Sequence, residues 1–259
     1  MTVFETPSAW RRERRSQIRA GLTLGVVPTM GALHEGHLSL VRRSRAENDL
    51  TLVSIFVNPT QFDDSDDLAR YPRALHTDLS TLRAEGTDFV LLPREPDLYP
   101  DGYRYRITER ALSTVLEGAH RPGHFDGVLT VVLRLLQIAS ADRAYFGEKD
   151  WQQLMLLRGM VDAFFLTTAI VACAIVREAD GLAFSSRNRR LLPADRERAP
   201  RFYRVLSSAP TADAAARDLR ASGFEVDYIE DRDGRRLGAV RLGDVRLIDN
   251  VPLGAGGSP

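Results

Sequence analysis

Two histidines three positions apart lie between a predicted strand and a predicted helix. His34 and His37 belong to the run PTMGALHEGH at 28–37, which follows the apolar run LTLGVV at 22–27. In an open parallel sheet, ligands bind beyond the carboxyl ends of the strands. The N-terminus of the next helix offers N–H groups and a positive dipole end that suit phosphate. Imidazoles there would stabilise charge that develops on phosphorus, so we predict a phosphate site at this pair.

The histidine pair has other interpretations. With Glu35 between them, His34 and His37 would suit zinc, although the spacing is not His-Glu-x-x-His and no third ligand is evident. A purely structural pair in a loop is the second alternative. The position of the pair between the first strand and the first helix favours a functional role over a purely structural one. His-x-Gly-His here resembles the signature of the nucleotidylyl-transferase superfamily, which implies attack on the α-phosphate of ATP with release of pyrophosphate.

Two further clusters of charged and hydroxyl side chains lie at the ends of predicted elements. Lys149 and Asp150 follow a strand and open a helix, where the ammonium suits phosphates and the carboxylate suits a helix cap or a ribose hydroxyl. Ser185, Ser186 and Arg187 lie in a polar loop, and such donors suit the β- and γ-phosphates under a mobile lid. A cap or a solvated hinge explains either cluster alone. The three clusters together favour a nucleotide site.

A set of neutral amides follows the second predicted strand. Asn58 and Gln61 lie in the run FVNPTQF at 56–62. Amides near apolar rings suit a small polar acid better than a large ligand. A second polar and aromatic loop, RPGHF at 121–125, carries His124, and a turn stabilised by Pro and Gly explains that loop without a ligand. We predict an acid pocket near Asn58 and Gln61.

Alternating apolar and amphipathic segments predict an α/β fold with a parallel sheet covered on both faces. The predicted strands are 22–27, 51–57, 89–92, 143–146 and 168–176, and the predicted helices are 38–45, 77–85, 128–138 and 151–161. Beyond these, helical stretches at 194–208 and 212–222 precede short alternating segments at 226–229 and 245–248, which indicates a small α+β domain. We predict domains at 1–176 and 177–259, with a frayed tail at 254–259.

Composition excludes several classes of protein. Lys+Arg and Asp+Glu are both 35, so the chain lacks the overall positive electrostatic field expected of a protein that binds nucleic acid. The one cysteine, Cys173, lies in an apolar run and is predicted to be a buried, inert thiol. No apolar stretch approaches the ~18 residues of a membrane span. The charged run at 11–19 has no apolar core behind it, so we expect no signal peptide and a cytoplasmic protein.

Taken together, the motifs resemble the pantothenate synthetase family from about Gly21 to Leu253. In chain order they are PTMGALHEGH, SIFVNPTQF, DLARYPR, RPGHFDGV, FGEKDWQQL, VREADGLAFSSRN and RLIDNVPL. The resemblance implies a Rossmann-like N-terminal domain, a smaller C-terminal lid domain, a homodimer, and Mg–ATP as cosubstrate. It also implies two half-reactions. Pantoate attacks the α-phosphorus to give pantoyl adenylate and pyrophosphate, and β-alanine then displaces AMP.

The resemblance also implies the roles of individual residues. The catalytic set is His34, His37, Lys149, Ser185 and Arg187. The ATP-binding set adds Met30, Gly147, Asp150, Val176, Phe184 and Ser186. The acid pocket consists of Met30, Asn58, Gln61, His124 and Gln153. Asp78 is a candidate ligand of magnesium.

Three departures from the family pattern bear on the adenine pocket and the lid. Ala172-Cys173-Ala174-Ile175 stands where Gly-Val-Pro-Thr is common, Phe184 stands where Leu or Met is usual, and little lies between Gly238 and Leu247. Three rival functions stay open: a nucleotidyltransferase acting on a phosphate, a non-catalytic nucleotide binder, and a ligase for another hydroxy acid or amine. The lack of Arg or Lys at 58–62 disfavours the first. The intact histidines and cations disfavour the second.

Overall fold

The chain divides into two units in a computed structural model that describes residues 1–63 and 65–254. One unit comprises Met1–Glu148 and Gln152–Cys173, and the other comprises Lys149–Trp151 and the described residues of Ala174–Pro259. The predicted frayed tail lies outside the described residues from 255 onward. The domain boundary at 176/177 stays a prediction.

The first unit is built on a six-stranded sheet in which every pairing is parallel. Its strands are β1 (Thr2–Phe4), β2 (Leu24–Thr29), β3 (Leu50–Ile55), β4 (Phe89–Leu91), β5 (Arg143–Gly147) and β6 (Ala169–Cys173), in the spatial order β1-β4-β3-β2-β5-β6. The central strands read LGVVPT and LTLVSI and are largely buried, as expected for strands covered on both faces. The predicted parallel α/β fold is confirmed.

The order of strands reverses between β2 and β5. Chain order runs outward through β3 and β4 on one side of β2, and through β5 and β6 on the other. The two central strands pair through Gly25 with Arg143 and Val26 with Ala144. Ligands of doubly wound sheets bind at the carboxyl ends of the strands at such a reversal. The loop with the two histidines leaves β2 at this point.

Among residues 1–63 and 65–254, eight helices accompany this sheet along the chain. They are α1 (Pro7–Arg19), α2 (Glu35–Glu47), α3 (Ser65–Ala69), α4 (Leu75–Ala84), α5 (Glu95–Leu98), α6 (Glu117–His120), α7 (His124–Ala139) and α8 (Trp151–Ala163), with 3₁₀ turns at Pro59–Gln61, Leu112–Thr114 and Glu148–Asp150. The nearly all-apolar segment at 128–138 is helical, as predicted, and is largely buried. Strand β6 ends three residues before the predicted end at 176.

One core cluster lies around β2, β3 and β4 and includes Val27, Val53, Val90 and Tyr145. Cys173 belongs to it and is buried, as predicted. Burial raises the pKa of the Cys173 thiol, which keeps it protonated and unreactive at neutral pH.

The sequence interpretation missed α1, because the buried face of this helix is not apolar. Trp10, Arg14 and Gln17 are its buried residues. The Arg14 guanidinium lies 3.1 Å from an Asp142 carboxylate oxygen and also donates to the Leu22 and Ser140 carbonyls. These hydrogen bonds allow a charged side chain on the buried face, where a hydrophobic-periodicity argument expects apolar residues.

The second unit is an α+β structure, as predicted. Its antiparallel sheet has the order β7 (Glu225–Arg232), β8 (Arg235–Leu242) and β9 (Val245–Pro252), and its helices are α9 (Pro193–Arg198), α10 (Pro200–Ser208) and α11 (Ala212–Ala221), preceded by a 3₁₀ turn at Ser186–Arg190. Its core gathers Phe202, Val205, Leu219 and Val240. The single helix predicted at 194–208 is two helices, since Pro200 has no N–H to continue the first.

Gly238 and Leu247 lie on two neighbouring strands of this sheet. Gly238 belongs to the central strand β8, which pairs with both β7 and β9, and Leu247 belongs to β9. The expected shortness of the stretch between them, compared with the family, stays a prediction. The sequence of β8, RRLGAVRL, shows no clear alternation of polar and apolar residues. One of its charged residues, Arg236, is buried, with its guanidinium 2.7 Å from an Asp231 carboxylate oxygen.

Candidate active site

The loop between β2 and α2 is anchored by Asp78 of α4. The N–H groups of Ala32 and Leu33 donate to the two Asp78 carboxylate oxygens, each at 2.9 Å. Gly31 and Ala32 both have positive φ, 77° and 50°. A β-carbon at Gly31 would approach an Asp78 oxygen to 2.9 Å, so both backbone angle and space call for glycine. The carboxylate therefore fixes the course of the chain directly before the histidine pair.

His34 and His37 lie together at the start of α2. His34 is the N-cap residue with an extended backbone, and its carbonyl accepts from the His37 N–H at 2.8 Å. The two imidazole rings stack with centroids 4.0 Å apart and an interplanar angle of 28°. Because Ala32 and Leu33 use their N–H groups on Asp78, donors for an anion come from the imidazoles and the first turn of α2. The role of both rings toward phosphate stays a prediction.

Asp78, the candidate magnesium ligand, is buried and bonded to the histidine loop. Its side chain is 3% exposed, and both oxygens accept hydrogen bonds from the loop. Across residues 1–63 and 65–254, no group of three or more His, Cys, Asp or Glu side chains is placed to hold a metal ion. Asp78 holds the histidine loop, and its role toward magnesium stays a prediction.

The buried amide of Asn58 is engaged entirely within the protein. Its Oδ1 accepts from the Tyr99 hydroxyl at 2.6 Å and from Thr60 Oγ1 at 3.0 Å. Its Nδ2 donates to Gln61 Oε1 at 3.0 Å and to the Gly127 carbonyl at 3.2 Å. These bonds use both amide hydrogens and both lone pairs of a side chain that is 1% exposed. Asn58 therefore supports Gln61, and its predicted place in the acid pocket stays a prediction.

Gln61 is the residue on which this cluster converges. Its backbone carbonyl accepts from His124 Nδ1 at 2.7 Å and from an Arg121 guanidinium nitrogen at 3.2 Å. Its side-chain Nε2 lies 3.2 Å from the Met30 sulfur. A thioether is a weak acceptor, so an oxygen of a bound ligand would compete well for this donor. The structure thus brings together Met30, Asn58, Gln61 and His124, all predicted from sequence.

His124 is held as a neutral imidazole. Burial, followed by the neighbouring Arg121 charge, lowers the pKa of His124 to about 4. Arg121 Nη1 lies 3.3 Å from His124 Nε2, so Nε2 accepts while Nδ1 donates to Gln61. Arg121 is in turn held by Asp63 at 2.8 Å. The helix-start turn at 121–125 therefore fixes the backbone of Gln61.

Neighbouring glutamines at the start of α8 have different surroundings. Gln152 is buried: its Nε2 donates to the Leu112 and Val115 carbonyls, and its Oε1 accepts from the Glu117 N–H. Gln153, the predicted pocket residue, is half-buried in the first turn of the helix. Its contact with an acid stays a prediction. Gly147, predicted to contact ATP, is the last residue of β5 and pairs with Cys173.

In the second unit, strand β9 fixes the segment that carries Lys149. The Asn250 Nδ2 donates to the Lys149 carbonyl at 3.0 Å, and Arg235 Nε donates to Asn250 Oδ1 at 2.7 Å. The Arg235 guanidinium lies over the Trp151 ring, 4.4 Å from its centroid. The backbone of Lys149 and Asp150 is thereby held by residues of the small sheet. The roles of both side chains toward ATP stay predictions.

The loop with the predicted phosphate-binding serines is anchored at its start. Arg177 forms a two-point ion pair with Asp249, at 2.6 and 3.0 Å, and stacks on Tyr203 with 3.7 Å to the ring centroid. The N–H of Phe184 donates to the Val176 carbonyl at 3.1 Å, so these two predicted ATP-binding residues are close. Asp249 and Asn250 are adjacent on β9, and this strand therefore holds both segments.

Ser185, Ser186 and Arg187 form the start of a 3₁₀ turn. Ser185 is its N-cap, and its hydroxyl accepts from the Arg187 N–H at 3.2 Å. This is the helix-cap alternative considered from sequence, and it leaves the hydroxyl hydrogen available for donation. Ser186 is buried and Arg187 half-buried.

Sequence reasoning missed the residues that hold the predicted ones. Tyr99, Arg121 and Asn250 each contact a predicted site residue or its backbone. Arg121 and Asn250 lay inside motifs that carried the resemblance, RPGHFDGV and RLIDNVPL. Tyr99 had no such signal, because its partner Asn58 is 41 residues away in sequence.

The family model described as Pantoate-beta-alanine ligase matches residues 2–252. The chain belongs to the pantoate–β-alanine ligase family. Pantothenate synthetase of Bdellovibrio bacteriovorus is 51% identical over 254 residues, which cover 97% of this chain and 99% of that protein. Pantothenate synthetase of Legionella pneumophila (strain Corby) is 48% identical over 253 residues, covering 98% and 100%.

Solved structures of this ligase family are also similar to the chain. Pantoate–β-alanine ligase of Francisella tularensis, complexed with beta-gamma ATP and β-alanine, matches with a TM-score of 0.93 and 41% identity, covering 97% of each chain. Pantothenate synthetase of Thermus thermophilus matches with a TM-score of 0.88 and 40% identity, covering 97% of this chain and 99% of that one. The predicted family and the predicted ligase class are confirmed.

One further property of this ligase follows from its helices. Among the described residues, no helix is both long enough and apolar enough to cross a bilayer.

Proposed function

We propose that this ligase condenses pantoate with β-alanine, using ATP, through a pantoyl-adenylate intermediate. The observation that carries the proposal is the contact between Gln61 Nε2 and the Met30 sulfur, at 3.2 Å. It joins the loop after β2, which carries the histidine pair, to the turn after the neighbouring strand β3. An acid held at Gln61 therefore lies beside the loop proposed to hold the α-phosphate, as attack on phosphorus requires.

The relatives support the choice of substrates. The pantothenate synthetases of B. bacteriovorus and L. pneumophila match along nearly their whole length. The F. tularensis ligase was solved with beta-gamma ATP and β-alanine. We carry ATP, pantoate and β-alanine over to this chain as its substrates.

The first step forms an anhydride. A pantoate carboxylate oxygen attacks the α-phosphorus of ATP, the bond from that phosphorus to the bridging oxygen breaks, and pyrophosphate leaves. We propose that the imidazoles of His34 and His37 donate to phosphate oxygens as charge develops on them. Gln61 donates to the acid, with His124 and Asn58 holding Gln61, and with Met30 and Gln153 completing the pocket.

The second step transfers the acyl group. The β-alanine amine attacks the acyl carbon, the bond from that carbon to the phosphate oxygen breaks, and AMP leaves as the amine loses a proton. We propose roles for the remaining predicted ATP-binding residues. Lys149, Ser185, Ser186 and Arg187 bind phosphates, Asp150 binds the ribose, and Gly147, Val176 and Phe184 line the nucleotide. We propose that the nucleotide enters as Mg–ATP, with its magnesium carried by the phosphates.

The proposal extends to assembly and location: we propose a homodimer in the cytoplasm. Light scattering of the purified protein should give twice the 28.9 kDa chain mass. A mass of one chain at every protein concentration used in the activity assays would reject the dimer and would leave the proposed reaction unaffected.

The test of the chemistry is pyrophosphate exchange in the absence of any amine. With Mg–ATP and pantoate, the ligase should transfer labelled pyrophosphate into ATP. Lactate and other small hydroxy acids serve as controls, and His37→Ala should lower the exchange rate about 10²–10³-fold, as for loss of one preorganised donor. Exchange supported by another acid but not by pantoate would reject the substrate, and exchange that survives His37→Ala would reject the role of the histidine.

A further inference from the structure

A chain of hydrogen bonds runs from a tyrosine hydroxyl to the proposed acid-binding donor. The Tyr99 hydroxyl donates to Asn58 Oδ1 at 2.6 Å, Asn58 Nδ2 donates to Gln61 Oε1 at 3.0 Å, and Gln61 Nε2 lies at the Met30 sulfur. Each primary amide has one end that donates and one that accepts. The orientation of the first amide therefore dictates that of the second.

The orientation of Asn58 is set at both ends of its amide. The Gly127 carbonyl can only accept, and it faces Asn58 Nδ2 at 3.2 Å. On the other side, the Tyr99 and Thr60 hydroxyls face Oδ1. With Nδ2 toward Gln61, the Gln61 side chain must present its oxygen to Asn58 and its Nε2 to Met30.

The environment of Tyr99 keeps it a donor in one position. The ring packs against Tyr103 with centroids 4.3 Å apart and an interplanar angle of 38°, and the Arg134 guanidinium lies 4.6 Å from the Tyr99 centroid. Burial raises the pKa of the Tyr99 phenol, so the hydroxyl keeps its proton throughout the physiological range.

We propose that Tyr99 is a positioning residue: acting through Asn58, it turns Gln61 so that the bound acid meets a hydrogen-bond donor. The inference rests on the proposed function, in which the acid binds at Gln61. It assigns the site a preference for ligands that present oxygen acceptors, a carboxylate or a hydroxyl. The Met30 sulfur occupies the donor until such an oxygen replaces it.

The first test is Tyr99→Phe, which removes the hydroxyl and keeps the ring with its contact to Tyr103. The matched control is Tyr103→Phe, because no hydrogen bond among the described residues joins the Tyr103 hydroxyl to Asn58 or Gln61. In pyrophosphate exchange, Tyr99→Phe should raise the pantoate KM about three- to tenfold, the range of one net hydrogen bond. The ATP KM should stay within about twofold, and Tyr103→Phe should leave both constants near wild type. An equal rise in both KM values would overturn the proposal.

A double-variant cycle tests the route of the effect. If Tyr99 acts through Gln61, adding Tyr99→Phe to Gln61→Ala should change the pantoate KM by less than about twofold, because coupled residues are not additive. If Tyr99 only packs against its neighbours, Tyr99→Phe should change the pantoate KM by the same factor in wild type and in Gln61→Ala. Full additivity would therefore contradict the relay.

A spectroscopic readout separates this inference from the proposed function. Side-chain amide resonances of Asn58 and Gln61 can be followed by NMR without any substrate. Tyr99→Phe should shift both pairs, whereas Tyr103→Phe should leave them in place. An unmoved Gln61 amide in Tyr99→Phe would reject the relay whatever the acid. Shifted amides in a protein without pantoate-dependent exchange would support the relay and reject only the substrate.

Discussion

At the scale of single residues, Asp78 and Asn58 share a way of acting. Each is buried, and each directs its hydrogen bonds to a neighbouring segment that carries a proposed ligand-binding side chain. A buried polar group that loses its partner costs more than the bond itself was worth. Substitutions at such residues should therefore displace the proposed ligand-binding side chains without removing any contact to the ligand itself.

Asp78→Asn tests the anchoring of the histidine loop. One carboxylate oxygen becomes an NH₂ group that faces the N–H of Ala32 or Leu33, so the free energy of unfolding should fall by about 1–3 kcal/mol. Pyrophosphate exchange should fall at least tenfold. Urea denaturation and exchange measure the two effects. Asp213→Asn, at an exposed carboxylate in the first turn of α11, should leave both unchanged. Recovery of activity in Asp78→Asn at high Mg²⁺ would favour a metal role instead.

The neutral state of His124 makes stability depend on pH. Its pKa of about 4 lies below the ~6.5 of an exposed histidine, so the unfolded chain binds the proton first as pH falls. The contribution to stability is complete above pH ~6.5 and is lost progressively toward pH ~4, amounting to about 1–2 kcal/mol between pH 7 and 5. His124→Gln should flatten this part of the stability profile, and exposed His76→Gln should not. Parallel profiles for wild type and His124→Gln would contradict the assignment.

At the scale of elements, α7 and the 3₁₀ turn Pro59–Gln61 form one wall of the proposed acid pocket. They approach so closely that a β-carbon at Gly127 would lie 2.3 Å from the Thr60 carbonyl oxygen. The same close approach lets the Gly127 carbonyl accept from Asn58. The position of α7 thus determines the position of Gln61.

Gly127→Ala should separate these two elements. The backbone must shift, so we expect a loss of about 1–3 kcal/mol in stability and a higher pantoate KM. Gly159→Ala is the matched control, because a β-carbon there meets nothing within 4 Å and α8 should gain about 0.5–1 kcal/mol. Thermal melts and exchange kinetics measure both variants. A Gly127→Ala protein that melts with wild type and keeps its pantoate KM would show that the close packing is dispensable.

Elements were predictable from sequence where one physical signal dominated. The apolar strands β2 and β3 and the long helix α7 were evident from their apolar runs alone. Helix α1 and strand β8 were missed because each buries an arginine, Arg14 or Arg236, whose ion pair satisfies the charge. An ion pair joins residues that are distant in sequence or out of pattern, so local periodicity cannot reveal it.

At the scale of the whole molecule, each of the two units carries residues predicted to bind the nucleotide. The histidine pair and the acid cluster belong to the first, and Lys149 with the Ser185–Arg187 turn belongs to the second. Motifs located these residues, because each lies at the end of an element. The supporting residue Tyr99 lies in none of these motifs. Asn250 lies in RLIDNVPL, but its bond to Lys149 depends on tertiary packing and could not be read from the motif.

Asn250→Ala tests whether the small sheet positions Lys149. It removes the bond to the Lys149 carbonyl and leaves Arg235 without that acceptor, so the ATP KM should rise several-fold with the pantoate KM unchanged. Asn48→Ala removes another hydrogen-bonded amide, next to the amino end of β3. It should lower the melting temperature yet spare the ATP KM. Equal ATP KM values for the two variants would reject the positioning role.

The measurement that tests the central claim most directly follows the oxygen atoms of the acid. Pantoate labelled with ¹⁸O at both carboxylate oxygens is incubated with the enzyme, Mg–ATP and β-alanine, and the ¹⁸O content of each product is measured by mass spectrometry. A pantoyl adenylate passes its bridging oxygen to the nucleotide, so AMP should carry one ¹⁸O and the amide product should keep the other. Unlabelled AMP, or ADP with labelled inorganic phosphate, would contradict the adenylate.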